Sequence, residues 1–368
     1  MRKVIVVNAS TVLTGGGLIV VQDILRALSA SAQLRLIVFC PSEKLYGHLR
    51  NEYVQIIVVK RWMLLWAFRW FLDYIWLPKQ TKKYKPNLVL SLGNLPGICN
   101  NYQVFCNDNA FITAASSEIQ ALPAKTKIIH GLRKWVFKRR TRFVDKLIVQ
   151  NKLEKERMSR LLKNNCSIDI ITPLIPEHLL TIYSSSAEPH HKKKVHCLSP
   201  YAEHKNFEFI IELAIQAKRN EANVCFYITV NELEKDVQKM LNSIKKEQLD
   251  EFLINLGIIP VKKIKETIMQ CDALILPSYV ESFSLNCIEA WYCNKVLFIK
   301  DAPYSRNVCG NSAAYINTNS ATEAFNLIEN VLHDEIMCNN FIQSGQQQLL
   351  QLSKANDWLQ LIHESLSE

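Results

Sequence analysis

Glycine and proline are scarce in this 368-residue sequence, at 10 and 12 residues, and that excludes a fibrous or linker-dominated chain. No uninterrupted apolar run reaches the roughly 18–20 residues that a membrane-spanning helix needs. The opening Met1-Arg2-Lys3-Val4-Ile5-Val6-Val7-Asn8 has too short an apolar stretch for a signal peptide and reads as a first strand. A soluble, cytoplasmic chain is expected. The eleven cysteines show no CxxC pair and no matching histidine spacing, so neither a metal site nor a disulfide framework is expected. Cys40, Cys197, Cys225 and Cys271 sit inside apolar runs, as small core residues of a reduced protein do. Acidic residues are short in one half only. Residues 1–180 carry 27 Lys and Arg against 11 Asp and Glu, a balance of +16, whereas 181–368 carry 17 against 23. That asymmetry points to an anionic partner for the first half.

What is present is a core. At 48% hydrophobic and 21% charged, the chain is globular, and its length suits two domains. Short apolar runs alternate with helical stretches, which implies parallel sheets with crossover helices. The first series of strands is expected at 3–8, 34–39, 54–59, 87–92, 103–106 and 146–150, and the second at 194–198, 223–229, 252–256, 272–276 and 295–299. Between the series, Pro173, Pro176, Ser184-Ser185-Ser186, Pro189 and the run His190 to Lys194 read as a linker. The expected organisation is an α/β chain of two Rossmann-like domains with a substrate cleft between them: 1–172, a linker at 173–194, 195–345, and a closing helical segment, 346–368, crossing back to the first domain.

The most informative stretch is 271–293. Ala273–Leu276 is a buried strand that Pro277 ends, and Ser282 or Ser284 caps a helix turning Leu285, Ile288 and Trp291 inward. Glu281 then stands in the loop at the carboxyl end of a parallel strand, and Glu289 on the helix. Backbone amides near Ser284, Leu285 and Asn286 offer an anion site between them. Two carboxylates flanking an anion site suit a ligand that is part phosphate and part polyhydroxyl, although the spacing alone fits a solvated loop and a surface helix equally well. The wider texture, Cys271-Asp272-Ala273 through Trp291, with Leu256-Gly257 before it and Asp301-Ala302-Pro303 and Val308 to Ala313 after it, resembles the E-x7-E signature of retaining glycosyltransferases of family 4. That family has the GT-B fold, and the resemblance implies a glycosyltransferase of the hexosyltransferase class.

The resemblance implies roles. Glu289 is expected to bind the ribose hydroxyls of a nucleotide sugar and Glu281 to contact the transferred sugar, with the amides from Phe283 through Ser284 and Leu285 to Asn286 approaching sugar and diphosphate. Ser284 occupies a place where the family commonly has glycine. The segment Leu198 to Asn206 resembles the family's diphosphate-holding loop, which makes Lys205 the expected cation, while Pro200 replaces the family's arginine. Gly15-Gly16-Gly17 resembles the family's glycine turn, placing Gly16 and Gly17 near donor phosphates. Asn107 stands where the family often carries an acceptor-site histidine, with Asp108 beside it as a candidate helper or a turn residue. No metal or other cofactor is implied, since protein cations and helix dipoles offset the diphosphate.

Two stretches bear on the partner. Residues 61–77 hold four of the seven tryptophans and read best as a well-buried core helix. Residues 125–146 interleave Lys, Arg and His with apolar side chains, and Arg133, Lys134, Lys138, Arg139 and Arg140 suit an interface with anionic lipid. The reading is a glycosyltransferase peripheral to the inner face of the cytoplasmic membrane, acting on a lipid-linked or saccharide acceptor in bacterial surface polysaccharide or lipopolysaccharide synthesis. A GT-B sugar-nucleotide epimerase and a catalytically degenerate basic binding protein are the alternatives. Nucleic acid is not an expected partner, because no recognisable module for it is present.

Overall fold

The computed structural model describes residues 2–162, 166–182 and 192–367; of the expected linker, Ser184-Ser185-Ser186, Pro189, His190 and His191 lie outside them. Two compact units result. Unit 1 takes 1–114, 123–174 and 353–368, and unit 2 takes 115–122 and 175–352.

Unit 1 is built on a seven-stranded parallel sheet ordered β3-β2-β1-β4-β5-β6-β7. Its strands are β1 (Lys3–Asn8), β2 (Leu34–Cys40), β3 (Val54–Val58), β4 (Leu88–Ser91), β5 (Gln103–Cys106), β6 (Lys146–Val149) and β7 (Ser167–Ile170). The central strands are continuous β-branched runs because both faces are covered. On one face Ile5, Val7 and Leu36 pack with Val21, Ile24, Leu25 and Leu28 of α1 (Gly15–Ser29). On the other, Val6, Ile37 and Phe39 pack with Met63, Leu72 and Leu77. The helix α2 (Ala124–Arg140) precedes β6.

The 61–77 stretch is not the buried helix expected. It runs as short 3₁₀, α and π turns, with Met63, Leu72 and Leu77 inward and Trp62, Leu65, Phe68, Trp70, Tyr74 and Ile75 exposed. A segment that is apolar on every side cannot bury all of itself against a single sheet face.

Unit 2 has a six-stranded parallel sheet ordered β10-β9-β8-β11-β12-β13. Its strands are β8 (Lys193–Cys197), β9 (Val224–Ile228), β10 (Leu253–Asn255), β11 (Ala273–Leu276), β12 (Val296–Lys300) and β13 (Ala314–Ile316). Val195, Phe226, Ile275 and Phe298 form its core with Phe207, Leu213, Phe325 and Ile328. Three helices matter for the site: α3 (Glu177–Leu180), α4 (Ile264–Met269) and α5 (Leu285–Tyr292). The helix Glu335–Leu350 stays with unit 2, so the return to unit 1 begins at Ser353 rather than at 346. It ends in α6 (Ala355–Ser365), whose Trp358, Leu361 and Ile362 join the α1 core. At ~1.5–3 kcal/mol per fully buried aliphatic side chain, these residues hold α6 firmly to that core.

Candidate functional site

In unit 2 the strand order reverses between β8 and β11, and the loops leaving their carboxyl ends are 198–206 and 277–284. Open parallel sheets leave a crevice at such a point because the connections diverge to opposite faces. The two loops are laced together. The Tyr279 amide donates to the His204 carbonyl at 2.8 Å, the Tyr279 hydroxyl donates to Asn206 Oδ1 at 3.0 Å, and Asn206 Nδ2 donates to the Pro277 carbonyl at 3.4 Å. Asn206 adopts the left-handed region at φ +56°, a conformation that asparagine tolerates better than most residues.

This lacing sets Lys205 against Glu281, with Nζ 2.5 Å from Oε1 and side-chain exposures of 15% and 13%. Burial pushes the Glu281 carboxyl up, but the Lys205 ammonium and His204 outweigh it and leave the group below its ordinary value. Burial also drives His204 down to about 4, against the pull of Glu281, so its ring is neutral at pH 7.

Glu289 lies in α5 and is buried, at 3% exposure. Its Oε1 is 3.1 Å from His178 Nε2, and its Oε2 accepts from Asn286 Nδ2 at 2.7 Å. Ser284 is the N-cap of α5 at φ −78°, ψ 129°. Serine stands there without strain, and the left-handed backbone that a glycine would serve is not required. The Ser284 hydroxyl makes no capping bond, so the cap side chain leaves the first-turn amides of Leu285 and Asn286 unoccupied. Phe283 is half-buried, edge-on to Trp291 with ring centroids 6.4 Å apart. Lys205, Glu281, Phe283, Ser284, Leu285, Asn286 and Glu289 thus share one end of the unit 2 sheet, formed by two adjacent loops and one helix start. Pro200 sits exposed in the first loop and supplies no charge.

In unit 1 the glycine turn opens α1 after β1. A Cβ added at Gly17 would lie 2.9 Å from Asp108 Oδ2, so that glycine lets the Asp108 carboxylate approach the first turn of the helix. Burial pushes Asp108 up to about 6. Gly16 precedes this contact in the same turn. Asn107 is buried, with Nδ2 donating to the Asn109 carbonyl at 3.4 Å, and its Oδ1 has no hydrogen-bond partner among the described residues.

The basic helix α2 departs from expectation at one position. Arg133, Lys138 and Arg139 are exposed and Lys134 is half-buried, with burial and the neighbouring Lys138 and Arg157 lowering Lys134 below its ordinary value. Arg140 is buried, not presented to a partner. Its Nη2 lies 2.8 Å from Asp73 Oδ2, while Arg69 Nε lies 2.9 Å from Asp73 Oδ1. Its periodicity puts Arg140 on the helix side facing the 61–77 segment, where a carboxylate neutralises it.

Sequence reading missed His178, which falls in the segment assigned to the linker, and Tyr279 and His204, whose contacts join loops distant in the chain. The one available signal was the Pro173 and Pro176 pair, which permits a short helix to start just after Pro176.

No curated protein sequence matches the chain. Residues 181–348 match the family described as Glycosyl transferases group 1. Among solved structures, sucrose-phosphate synthase from Thermosynechococcus elongatus superposes with a TM-score of 0.77 at 14% identity, covering 100% of both chains. HepE from Anabaena, solved in complex with UDP-glucose, gives a TM-score of 0.74 at 14% identity, again over 100% of both. WaaG, described as a glycosyltransferase involved in lipopolysaccharide biosynthesis, gives 0.72 at 11% identity, covering 94% of this chain and 95% of its own. Residues 181–348 thus match a glycosyl transferases group 1 domain, and the chain shares a fold of two parallel-sheet domains with GT-B glycosyltransferase structures.

Proposed function

We propose that this protein is a retaining glycosyltransferase of the family 4 type that moves a sugar from a nucleotide-diphosphate donor to a saccharide or lipid-linked acceptor in bacterial surface polysaccharide or lipopolysaccharide synthesis. The observation that carries the reading is the grouping of Lys205, Glu281 and Glu289 around the start of α5. A fixed ammonium and unengaged helix amides match a leaving diphosphate. A carboxylate with spare acceptor sites matches hydroxyls, Glu289 those of the ribose and Glu281 those of the sugar. In this reading no metal is required, because Lys205 and the α5 amides meet the diphosphate charge. In unit 1, the carboxylate beside Gly17 disfavours a phosphate there and suits an acceptor hydroxyl, with Asp108 and Asn107 as its partners. UDP, GDP, ADP and CDP should be scanned by thermal shift. One of them is expected to raise the melting temperature of the wild type, as binding to the folded state alone must. Glu289→Ala should fold and lose that rise; an unchanged rise removes Glu289 from the site.

The reading includes an anionic membrane surface as the place of work. On α2, Ile128 and Leu132 are 71% and 54% exposed, and Trp135, itself exposed, is stacked under the Arg139 guanidinium at 3.9 Å. Apolar side chains facing water, flanked by Lys125, Arg133, Lys138 and Arg139 in the half of the chain with a balance of +16, fit a bilayer interface with acidic headgroups. No helix among the described residues is long and apolar enough to cross a membrane. Reversing the charge of Arg133 and Arg139 together should abolish cosedimentation with phosphatidylglycerol vesicles at low salt, and Ile128→Ser with Trp135→Ser should weaken it at all salt concentrations. Cosedimentation unaffected by either pair would leave this face merely solvated.

A further inference from the structure

The environment of Glu289 contains a residue that the reading above does not use. His178 is on α3, 111 positions from the carboxylate that its Nε2 meets at 3.1 Å. Both side chains are 4% exposed. Two acceptors facing each other would repel, so Nε2 carries the hydrogen and donates it to Oε1. His178 Nδ1 is buried and has no hydrogen-bond partner among the described residues. A buried ring nitrogen left unmet destabilises the fold, and an apolar side chain of similar shape would not incur that cost. Nor does α3 need His178 to stay in place. Lys265 of α4 donates to the Leu179 and Thr181 carbonyls, each at 2.7 Å, and Leu179 is fully buried. The histidine is therefore best understood through its bond to Glu289.

That bond has a geometric consequence. Each carboxylate oxygen can accept about two hydrogen bonds. His178 takes one site on Oε1 and Asn286 takes one on Oε2, so the carboxylate cannot rotate and each oxygen keeps one site in reserve. Two reserved acceptors on adjacent oxygens match two hydroxyls on adjacent carbons.

We propose that His178 is a positioning residue that fixes Glu289 to accept a vicinal diol, the 2′- and 3′-hydroxyls of a ribonucleoside diphosphate. The proposal rests on the reading that Glu289 meets the donor ribose, and it adds the residue that makes this meeting selective for ribose over deoxyribose.

The test compares each of UDP, GDP, ADP and CDP with its 2′-deoxy counterpart by calorimetry, on wild type, His178→Phe and His178→Gln. The affinity ratio is independent of the fraction of protein folded. Wild type should prefer the best-bound ribonucleotide by about tenfold or more, as a site built around a hydroxyl does. His178→Phe, which keeps a ring but no donor, should bring the ratio to about one. His178→Gln, whose amide nitrogen reaches the Nε2 position, should restore most of it. Should the phenylalanine variant not fold, His178→Asn carries the same expectation, because its amide falls short of Oε1. A wild type that binds none of the nucleotides overturns the functional reading and this proposal together. A wild type that binds and discriminates, with discrimination retained in His178→Phe or His178→Asn, overturns this proposal and leaves the functional reading intact.

Discussion

Lys205→Met is expected to lower kcat by on the order of a hundredfold, the usual consequence of removing one preorganised charge from a site of developing negative charge. Glu281→Gln should do comparable damage while keeping the shape of the loop. The two substitutions differ in how stability depends on pH. In the wild type, Glu281 titrates below its ordinary value because Lys205 overcomes the effect of burial. Its ionised form therefore contributes stability above the ordinary value of 4.5, and that contribution is lost as the pH falls through the depressed one. In Lys205→Met the burial effect remains while the opposing ammonium is gone. The carboxyl then titrates above its ordinary value, and the variant should gain stability as the pH is lowered from 7 toward 4.5. Urea unfolding at several pH values reads this directly. If Lys205→Met gains no stability between pH 7 and 4.5, an interval over which Glu281 leaves the wild type unchanged, the pair is not coupled as the 2.5 Å contact requires.

The second large effect concerns stability alone. Asp73→Ala should cost about 3–5 kcal/mol, because it leaves Arg140 charged, buried and unpaired. The Arg140 side chain is 8% exposed and its Nε already has no partner among the described residues. Pairing Asp73→Ala with Arg140→Met should recover much of the loss, since replacing both members of a buried ion pair by apolar groups is frequently neutral. Denaturant midpoints for the two single variants and the double variant complete a mutant cycle. A cost under about 1 kcal/mol for Asp73→Ala alone would show that the pair is solvated and that the 61–77 segment is not anchored through it.

The strands of both sheets were legible because β-branched, continuously apolar runs such as Val4 to Val7 admit few other readings. Two edge strands had no place in the expected series: β7, because Ser167–Ile170 is partly exposed with polar residues that break the apolar run, and β13, because Ala314–Ile316 is only three residues long. The acidic loop and helix of unit 2 were legible for a different reason, since Pro277, Ser284 and the apolar spacing after it specify strand, turn and cap locally. Contacts between distant segments were not. Nothing near Arg140 in the sequence announces Asp73, and nothing near His178 announces Glu289. Composition misled at 61–77, where tryptophan and leucine suggested burial but, among the described residues, Met63, Leu72 and Leu77 are the ones fully buried on the sheet face, with Leu64, Phe71 and Trp76 packed partly against it.

The attachment of α6 to the core of α1 bears on how the molecule comes into being. As the polypeptide emerges from the ribosome, the first sheet is complete long before Trp358 exists, and the groove along α1 that Trp358, Leu361 and Ile362 will fill stays open to water. Unit 2, which takes 115–122 and 175–352, has all its parts before α6 exists. Unit 1 is thus expected to be sealed only after unit 2 has been made, by a helix that follows unit 2 in the chain.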